Sequence, residues 1–596
     1  MKGRMVQNWV VRAVVLALAL GNVVPVRADP PPPPLPRVRA PYFPDDVRFS
    51  ETAIFWFGRV TPMENYADVR VGYNDDHLYL HLAAFDRRLW YDPHPSADDL
   101  TAWDAATIYL DLEGNEDDVL GEESRRFVGQ LSWWEPRDNY QAAYRGDGSG
   151  WVGVTVPFTT TRGWRGNAPN DDTDDRGWAL TFDIPFTSLG LSGPPPHGTI
   201  WGLAVALHDR DNGADTSIPD MGWPRTLDPD RPVTWGQLAF GLPVYTPPSA
   251  IRTGATTIRQ GLDEAIVPDA DVGGGTVCGD GLDFWTDWGE ANHAGCGHFN
   301  VQNQADVADW PCFSKYYVTF PLDSLPSGKA IISATLTLHQ FGNSGGGAWG
   351  EVAPSLIQVF TIAEDWSEEL LTWNNAPLAW ENVGAAWVDP LPGFPGWPGV
   401  LRTWDVSWAV AQAYAAGTPL RLALYSADGA YHSGKYFVSS DTGGWNAEGY
   451  PTLRVAWGDP VAVVHKEARP VAPVRSQVVT YTLSLIGDGR AITLTDSLPA
   501  QVSAPGPIRV WPDELAAGCH YDPGAHRVMW QGSPTLGQPV TISLPVTVQV
   551  GGPLAVFNTA VLTDFEGRIV TDTAVFIVDA SRIWLPLTFR DLRGDQ

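Results

Sequence analysis

The sequence predicts an all-β protein made of three tandem β-sandwich domains, on three observations. Its 596 residues are too many for one hydrophobic core. Apolar and polar residues alternate in many short stretches, as at Val69, Val71 and Tyr73, and a period of two is typical of strands with one buried face. The 60 glycines and 51 prolines fit turns between short strands, and only one short segment, 405–415, has a pattern that could form a helix.

Residues 1–28 have the pattern of a secretory signal peptide. Lys2 and Arg4 give a basic start, a short apolar stretch follows, and Val26-Arg27-Ala28 fits a cleavage site. Because the apolar stretch is short for a bilayer span, we expect a secreted, extracellular protein, with association to a cell surface left open; an uncleaved anchor is the alternative. Residues 29–39 contain a run of five prolines and predict an extended spacer.

Strand patterns divide the rest of the chain into three regions. The first region covers residues 40–245 and ends at a Pro-Pro linker, 246–249. The second region covers residues 251–458. The third region, residues 459–580, has the clearest alternation, which predicts a small two-sheet sandwich. Residues 581–596 form a C-terminal tail. No segment after the signal-peptide pattern is apolar for long enough to predict a membrane span.

The composition narrows the function classes. Hydrophobic residues make up 44% and charged residues 18%, as in packed globular domains. The formal net charge of −30 repels phosphate backbones and anionic membranes, so nucleic-acid binding is disfavoured. The same acidity is compatible with bound calcium.

Three stretches of the first region occur in a recognisable order. They are residues 69–80 followed by Phe85-Asp86, Trp103-Asp104 running into 107–111, and 178–191 followed by 198–205, Asp209 and Asp211. With these stretches the region resembles the family 9 carbohydrate-binding modules. The resemblance implies a β-sandwich that binds sugar between aromatic rings, with structural calcium in some members.

The other two regions carry resemblances of their own. In the second region the matching stretches are 320–338, 366–369, 371–377, 405–406, 437–440 and 450–455. With them it resembles the DNRLRE-type domains of secreted proteins, a group that includes family 96 carbohydrate-binding modules, and this implies a jelly-roll sandwich. The third region, through residues 478–483, 494–499 and 557–560, resembles the Ig-like repeat domains of bacterial surface proteins, which implies a spacer.

Tryptophans beside loop or strand-end signals are the candidate sugar contacts. An indole ring offers a flat apolar surface to the C–H face of a sugar, and a nearby carboxylate bonds the hydroxyls. The candidates are Trp103, Asp104, Trp133, Trp134 and Trp223, although each tryptophan could instead pack in a core. Trp178 and Trp201 lie inside strand patterns and are expected to be core residues.

Metal ligands are predicted at Asp209 and Asp211, which could equally be hydrogen-bond acceptors at a strand end or sugar contacts. The acidic runs 115–118 and 171–175 are solvated loops or further calcium ligands. Export permits one disulfide among Cys278, Cys296 and Cys312, whereas Cys519 is far away. Zinc at Cys296 and His298 is a remote alternative, because the spacing matches no standard cluster.

These observations predict a secreted, non-catalytic protein that binds a polysaccharide or cell-surface glycan by aromatic stacking. No cofactor is required, and structural calcium is the one metal the sequence favours. One alternative is a structural or adhesive surface protein, which would expose few aromatic rings. Another is an accessory protein of glycoside hydrolases or an uncharacterised hydrolase, which would need two carboxylates facing each other across a cleft.

Overall fold

The computed structural model describes residues 35–580 except 98, 115–117, 215–217, 275–280, 308–309, 347–350, 488 and 536–538. The predicted signal peptide, most of the predicted spacer and the tail 581–596 lie outside the described residues. The all-β prediction is confirmed, because the described residues form 33 strands in five sheets with one α-helix.

The first region forms a two-sheet sandwich. Its strands are β1 (Arg37–Ala40), β2 (Ala53–Gly58), β3 (Tyr66–Tyr73), β4 (His77–Phe85), β5 (Ala105–Asp111), β6 (Ser124–Gln130), β7 (Gln141–Gly146), β8 (Trp151–Val154), β9 (Thr159–Arg165), β10 (Gly177–Pro185), β11 (Ile200–Asp209), β12 (Ile218–Trp223) and β13 (Gly236–Phe240). One sheet has the order β2-β3-β4-β10-β9, and it faces β13-β11-β5-β6-β7-β8, with β12 beside β11. Val69, Leu80 and Leu180 are among the fully buried residues between the two sheets.

The second region repeats this architecture with one helix added. Its elements are β14 (Ala250–Arg259), β15 (Asp269–Gly273), β16 (His298–Val301), β17 (Ser314–Phe320), β18 (Ala330–Asn343), β19 (Ser355–Thr361), β20 (Glu381–Val388), β21 (Val400–Asp405), α1 (Ser407–Ala416), β22 (Leu420–Ser426), β23 (Lys435–Val438) and β24 (Thr452–Pro460). The helix expected at 405–415 is therefore confirmed. The sheet β14-β24-β18-β23-β16, with β21 beside β18, packs against β15-β17-β22-β19-β20.

The third region is also a two-sheet sandwich. Its strands are β25 (Val463–Arg469), β26 (Val478–Ile486), β27 (Ile492–Ser497), β28 (Arg509–Trp511), β29 (Cys519–Asp522), β30 (Arg527–Gly532), β31 (Pro539–Thr547), β32 (Leu554–Thr563) and β33 (Ile569–Val578). They pair as β25-β26-β31-β28 and β29-β30-β27-β32-β33 around one apolar core. The fully buried Lys466 donates two hydrogen bonds of 2.6 Å to Asp496 inside this sandwich. The Ig-like resemblance of this region stays a prediction.

Strand β1 joins the first two sandwiches into one 13-stranded sheet. It runs parallel to β13, with Val38 opposite Leu238, and touches β20 through Arg37 opposite Glu381. Arg39 strengthens the junction through an ion pair of 2.6 Å with Glu381. Residues 37–39, assigned to the spacer from sequence, are therefore strand, because Val38 and Ala40 alternate inward and are buried.

A second apolar core lies between the outer faces of the first two sandwiches. All eight residues of β3 are buried, because one face of that strand packs inside its own sandwich and the other packs on the second region. In the interface the Trp373 ring lies 4.8 Å from Tyr66 and 6.2 Å from Phe85. Alternation predicts this strand correctly but does not reveal that its polar face is covered.

Side chains from the second region supply hydrogen-bond partners to the polar groups on the covered face of β3. Asp68, which is fully buried, accepts hydrogen bonds from Tyr66, Tyr425 and Asn303 at 2.8–3.0 Å. The ammonium of Lys315 lies 3.7 Å from the centre of the Trp373 ring. Burial holds the pKa of Lys315 well below its usual value, and the nearby Asp68 opposes that shift. Such groups are stable in a core only when their partners stay in place.

We expect Trp373→Ala to destabilise both sandwiches together. Removing a buried tryptophan leaves a cavity and costs about 3–5 kcal/mol. Calorimetry of the full-length chain should show the joint transition of the first two regions shifted as one. The matched control is Trp387→Ala, whose ring is 49% exposed and whose loss should leave that transition in place. Separate melting of the two regions, with one of them unshifted, would contradict the shared core.

Candidate functional site

One end of the first sandwich collects most of the predicted site residues. Strand β5 begins at Ala105, which pairs with Gln130 at the end of β6 and with His208 near the end of β11. The loops 86–104, 131–140 and 210–214 therefore emerge together; we call this set the loop end. Trp103, Asp104, Trp133, Trp134 and Asp211 lie in these loops because the strands that precede or follow them stop at the same edge.

Hydrogen bonds hold the loops of the loop end to one another. The backbone N–H of Trp90 donates to Asp104 Oδ2 at 2.7 Å, and the N–H of Asp104 donates back to the Trp90 carbonyl at 3.1 Å. Gln130 donates through Nε2 to the Leu100 carbonyl at 2.9 Å. Tyr91 donates through its hydroxyl to Glu135 at 2.9 Å. Loops 86–104 and 131–140 are thus positioned by buried or half-buried contacts, which suits a preformed binding surface.

Asp86, Asp209 and Asp211 form an acidic cluster at the loop end. One carboxylate oxygen from each lies within 4.8 Å of the others. Asp86 accepts hydrogen bonds from the backbone of Arg88 and from Trp178 Nε1, both at 2.9 Å. Neither oxygen of Asp209 has a hydrogen-bond partner, although the residue is only 2% exposed. The backbone N–H of Arg210 and then the Asn65 amide lower the pKa of Asp209, but both fall outside hydrogen-bonding geometry.

Burial and mutual repulsion raise the pKa values of the cluster. Burial is the main cause that raises the pKa of Asp209 to about 8, and the Asp211 charge adds to it. Burial, followed by the charge of Asp209, also holds the pKa of Asp86 well above its usual range. The pKa of Asp104 is also raised, first by burial and then by the charge of Asp86. Buried carboxylates without a cation are costly when charged, so this end of the sandwich favours a positive ion.

The donor chemistry suits a hard divalent cation such as calcium. The cluster offers only carboxylate oxygens, which are the ligands that calcium takes, and the two orphaned oxygens of Asp209 are available to coordinate it. Asp209 and Asp211, the predicted ligands, are brought together, and Asp86, which the sequence did not single out, is the third carboxylate of the cluster. The sequence feature that could have identified Asp86 is its position directly after the apolar strand β4.

Asp104, predicted as a sugar contact, is a structural residue here. It is fully buried, and its two carboxylate oxygens accept the backbone N–H groups of Trp90 and Arg210 at 2.7 and 3.0 Å. A carboxylate engaged in this way does not reach a surface hydroxyl. The sequence left open that Asp209 is a hydrogen-bond acceptor at a strand end. In the structure Asp104 has that role, and the Asp209 oxygens accept no hydrogen bond.

Two half-buried tryptophans flank this carboxylate. Trp103 precedes Asp104, and the Arg210 guanidinium lies 3.9 Å from the centre of its ring. Trp90, which the sequence reasoning missed, is held to Asp104 by two backbone hydrogen bonds. Its ring lies against Gly213, where an added Cβ would approach the ring to 3.0 Å. An arginine over one face of Trp103 leaves that ring at most one face for a sugar.

Trp134 is the most exposed of the predicted tryptophans. Its side chain is 76% exposed at the loop end, where it follows β6. The neighbouring Trp133 is half-buried and makes an edge contact with Trp164, with ring centres 5.5 Å apart. Trp133 therefore extends the core towards the surface, whereas Trp134 presents its ring to solvent.

Trp223 lies away from the loop end and inside the core. It pairs with Val205 in the middle of β11, is 1% exposed, and packs on Phe55 with ring centres 4.4 Å apart. A ring buried in this way is not accessible to a sugar, so the predicted stacking role does not fit Trp223. Trp178 and Trp201, expected in the core, are buried at 2% and 3% exposure.

The remaining metal and cysteine predictions have mixed outcomes. Residues 115–117 and Cys278 lie outside the described residues. In the run 171–175, Asp175 is buried, and its Oδ1 accepts the backbone N–H of Asn167. Cys296 and Cys519 are free thiols in this structure. Within the described part of the chain, the cluster of Asp86, Asp209 and Asp211 is the one group of three metal ligands, and it does not include Cys296.

Comparison with known families supports carbohydrate binding. The model of carbohydrate-binding module family 96 matches residues 286–448, which lie within the second region. This match covers the sandwich of β16 to β23 and agrees with the family 96 resemblance stated above. No curated protein matches the chain.

Solved structures give further similarities. A family 9 carbohydrate-binding module from Caldicellulosiruptor kristjanssonii in complex with cellotriose is 16% identical, with 35% of this chain and all of that chain covered and a TM-score of 0.25. A putative carbohydrate-binding protein from Bacteroides uniformis is 12% identical over 31% of this chain and 85% of that chain, with a TM-score of 0.25. The N-terminal domain of the Streptococcus gordonii adhesin Sgo0707 is 10% identical, covers 87% and 85%, and has a TM-score of 0.17.

Proposed function

We propose that this chain is a secreted, non-catalytic protein that binds carbohydrate. The observation that carries the proposal is the match of residues 286–448 to carbohydrate-binding module family 96. Secretion is supported by the signal-peptide pattern of residues 1–28. No helix in the described residues is long and apolar enough to cross a membrane.

The exposed aromatic rings favour binding over a purely structural role. Among the described residues, Trp134, Trp397 and Trp445 are between 47% and 76% exposed. Exposed aromatic rings that contact one another mark interaction surfaces more often than single rings do, and the ring centres of Trp397 and Trp445 lie 5.2 Å apart. Sugar rings, with one apolar face and a rim of hydroxyls, are partners that tryptophan fits.

Hydrolysis of glycosidic bonds finds less support in the cleft between the first two sandwiches. This cleft has a volume of about 510 Å³ and is lined by Arg59, Glu64, Arg225 and Asn375 among others. Glu64 is the single carboxylate among its described lining residues. A glycoside hydrolase uses two carboxyl groups that face each other across the bond.

In the first region we place sugar binding at the loop end, with Trp134 as its principal ring. Trp134 is accessible on the surface, and Trp103 contributes the ring face that Arg210 leaves open. Trp90 borders the same surface through Asp104. Asp104 supports these rings through the backbone and makes no sugar contact in this arrangement.

We expect Trp134→Ala, and to a smaller degree Trp103→Ala, to weaken polysaccharide binding by the full-length chain. Loss of one stacked ring should cost on the order of 1–2 kcal/mol, which is about a tenfold change in affinity. Affinity electrophoresis in gels that contain soluble polysaccharides measures this change, with calcium supplied.

Trp201→Ala is the matched control, because its ring is 3% exposed and packs on Phe240 with ring centres 4.7 Å apart. This variant should lower the melting temperature through a core cavity. If Trp134→Ala melts as early as Trp201→Ala, or binds as tightly as the parent protein, the loop end is not a sugar surface.

We also propose a structural calcium ion between Asp86, Asp209 and Asp211. The support is the convergence of three carboxylates and the absence of any hydrogen-bond partner for the buried Asp209 oxygens. A divalent cation would offset the repulsion that raises the pKa values of these groups. It would also fix the start of the loop that carries Trp90 and Trp103.

We expect calcium to raise the melting temperature and Asp209→Asn to remove that effect. At a free calcium concentration of about one hundred times the Kd, binding to the folded state adds about 2.7 kcal/mol. Without calcium, and at a pH above 8 where the Asp209 carboxyl is ionised, the same variant should be at least as stable as the parent, because it removes one buried charge from a repulsive cluster. Scanning calorimetry of both proteins, with calcium and with a chelator, measures the calcium-induced shift in melting temperature and the stability of the variant without calcium.

The control for this experiment is Asp323→Asn, which changes an exposed acid in the second region. Its calcium response should equal that of the parent protein. An equal calcium shift in Asp209→Asn and the parent would place the ion elsewhere or show that none is bound at this cluster.

A further inference from the structure

The second sandwich carries a group of contacting aromatic rings on its surface. Phe341, Phe394, Trp397, Tyr436 and Trp445 form what we call the aromatic patch. Trp397 is its centre, with ring centres 5.2 Å from Phe394, 5.2 Å from Trp445 and 5.5 Å from Phe341. Phe394 is 62% exposed, Trp397 47% and Trp445 68%, so these contacts do not bury the rings.

The backbone holds the patch in place before any ligand arrives. Phe394 and Trp397 lie on a loop between β20 and β21 that contains Pro392, Pro395 and Pro398, which restrict its conformations. Asn343 anchors the start of this loop by accepting the Leu391 N–H at 2.6 Å. A surface restricted in this way loses little conformational entropy on binding.

A strand irregularity contributes Phe341, and the facing strand β23 contributes Tyr436. The register of β18 against β23 shifts between Gln340 and Gly342, and Phe341 lies within that shift. Gly342 pairs with Tyr436 on β23, whose ring lies 6.3 Å from that of Phe341. Irregularities of this kind redirect side chains and are frequent beside binding sites.

Ring orientation and charge indicate what the patch binds. The planes of Trp397 and Trp445 meet at 81°, and those of Phe394 and Trp397 at 70°, so the rings form a corner and not a flat platform. The exposed acids Asp441 and Glu448 lie four residues before and three residues after Trp445 in sequence. The net charge of −30 makes the chain as a whole repel acidic polysaccharides.

We propose that the aromatic patch is a second carbohydrate site, which binds a soluble, neutral glycan chain. This inference rests on the proposed function, because all five residues fall within the stretch that matches family 96. A sugar unit stacks its C–H face on one tryptophan and meets the other ring at its side. A crystalline polysaccharide surface, which is flat, does not fit a corner of this shape.

The test compares the full-length chain with the double variant Trp397→Ala/Trp445→Ala and with the single variant Trp387→Ala. Trp387 is a matched control, because it lies on β20 of the same sandwich, is 49% exposed and is outside the patch. The probes are glucomannan, mixed-linkage β-glucan and hydroxyethylcellulose as soluble neutral chains, polygalacturonate as an acidic chain, and microcrystalline cellulose as a flat surface.

We expect the double variant to lose roughly tenfold or more in affinity for at least one neutral chain, with its melting temperature unchanged and with Trp387→Ala equal to the parent. Three results overturn the inference while the proposed function stands: parent-like binding by the double variant when Trp134→Ala loses affinity, tighter binding to polygalacturonate than to the neutral chains, or binding to microcrystalline cellulose alone. An equal loss in Trp387→Ala also overturns it, because the effect would not be specific to the patch. Failure of the parent protein to bind any of the five probes overturns the proposed function together with this inference.

Discussion

The buried contact between the first two sandwiches is the constraint on which the rest of this structure depends. Strand β3 can bury both faces only because Trp373, Tyr425 and Lys315 of the second region cover its outer side. Asp68 receives three hydrogen bonds there, two of them from the second region, and without that region it would be a carboxylate facing water beside exposed Tyr66 and Phe85. The polar groups fix one relative placement of the sandwiches, since another placement would leave them unpaired.

This contact changes how the two proposed sugar surfaces can act. Modules on flexible linkers search for ligand independently, and their combined affinity depends on linker length. Here β1 and the shared core connect the loop end and the aromatic patch without such a linker. A glycan long enough to reach both surfaces would pay little additional ordering entropy for the second contact, whereas a short oligosaccharide would engage one surface only.

The sequence predicts the strands well because alternation reports which side chains of a strand share a face. It predicts α1 to within two residues at its start, and it places Trp178 and Trp201 correctly in the core. Alternation does not report what covers the other face of a strand, which for Asp68 is decided by parts of the chain more than 200 residues away. The loop signal beside Trp223 likewise predicts an exposed ring, although tertiary packing buries both Trp223 and Asp68.

The candidate site shows the same division between what is local and what is not. Asp209 and Asp211 could be selected from sequence as ligands because they end a strand, but the third carboxylate, Asp86, comes from the opposite sheet. Arg210 connects this cluster to the sugar surface: its N–H donates to Asp104, and its guanidinium lies over Trp103. An ion held by the aspartates on either side of Arg210 would fix that guanidinium and the ring beneath it. Calcium and sugar binding in the first region would then be coupled through one residue, because the metal orders the loop that carries the ring.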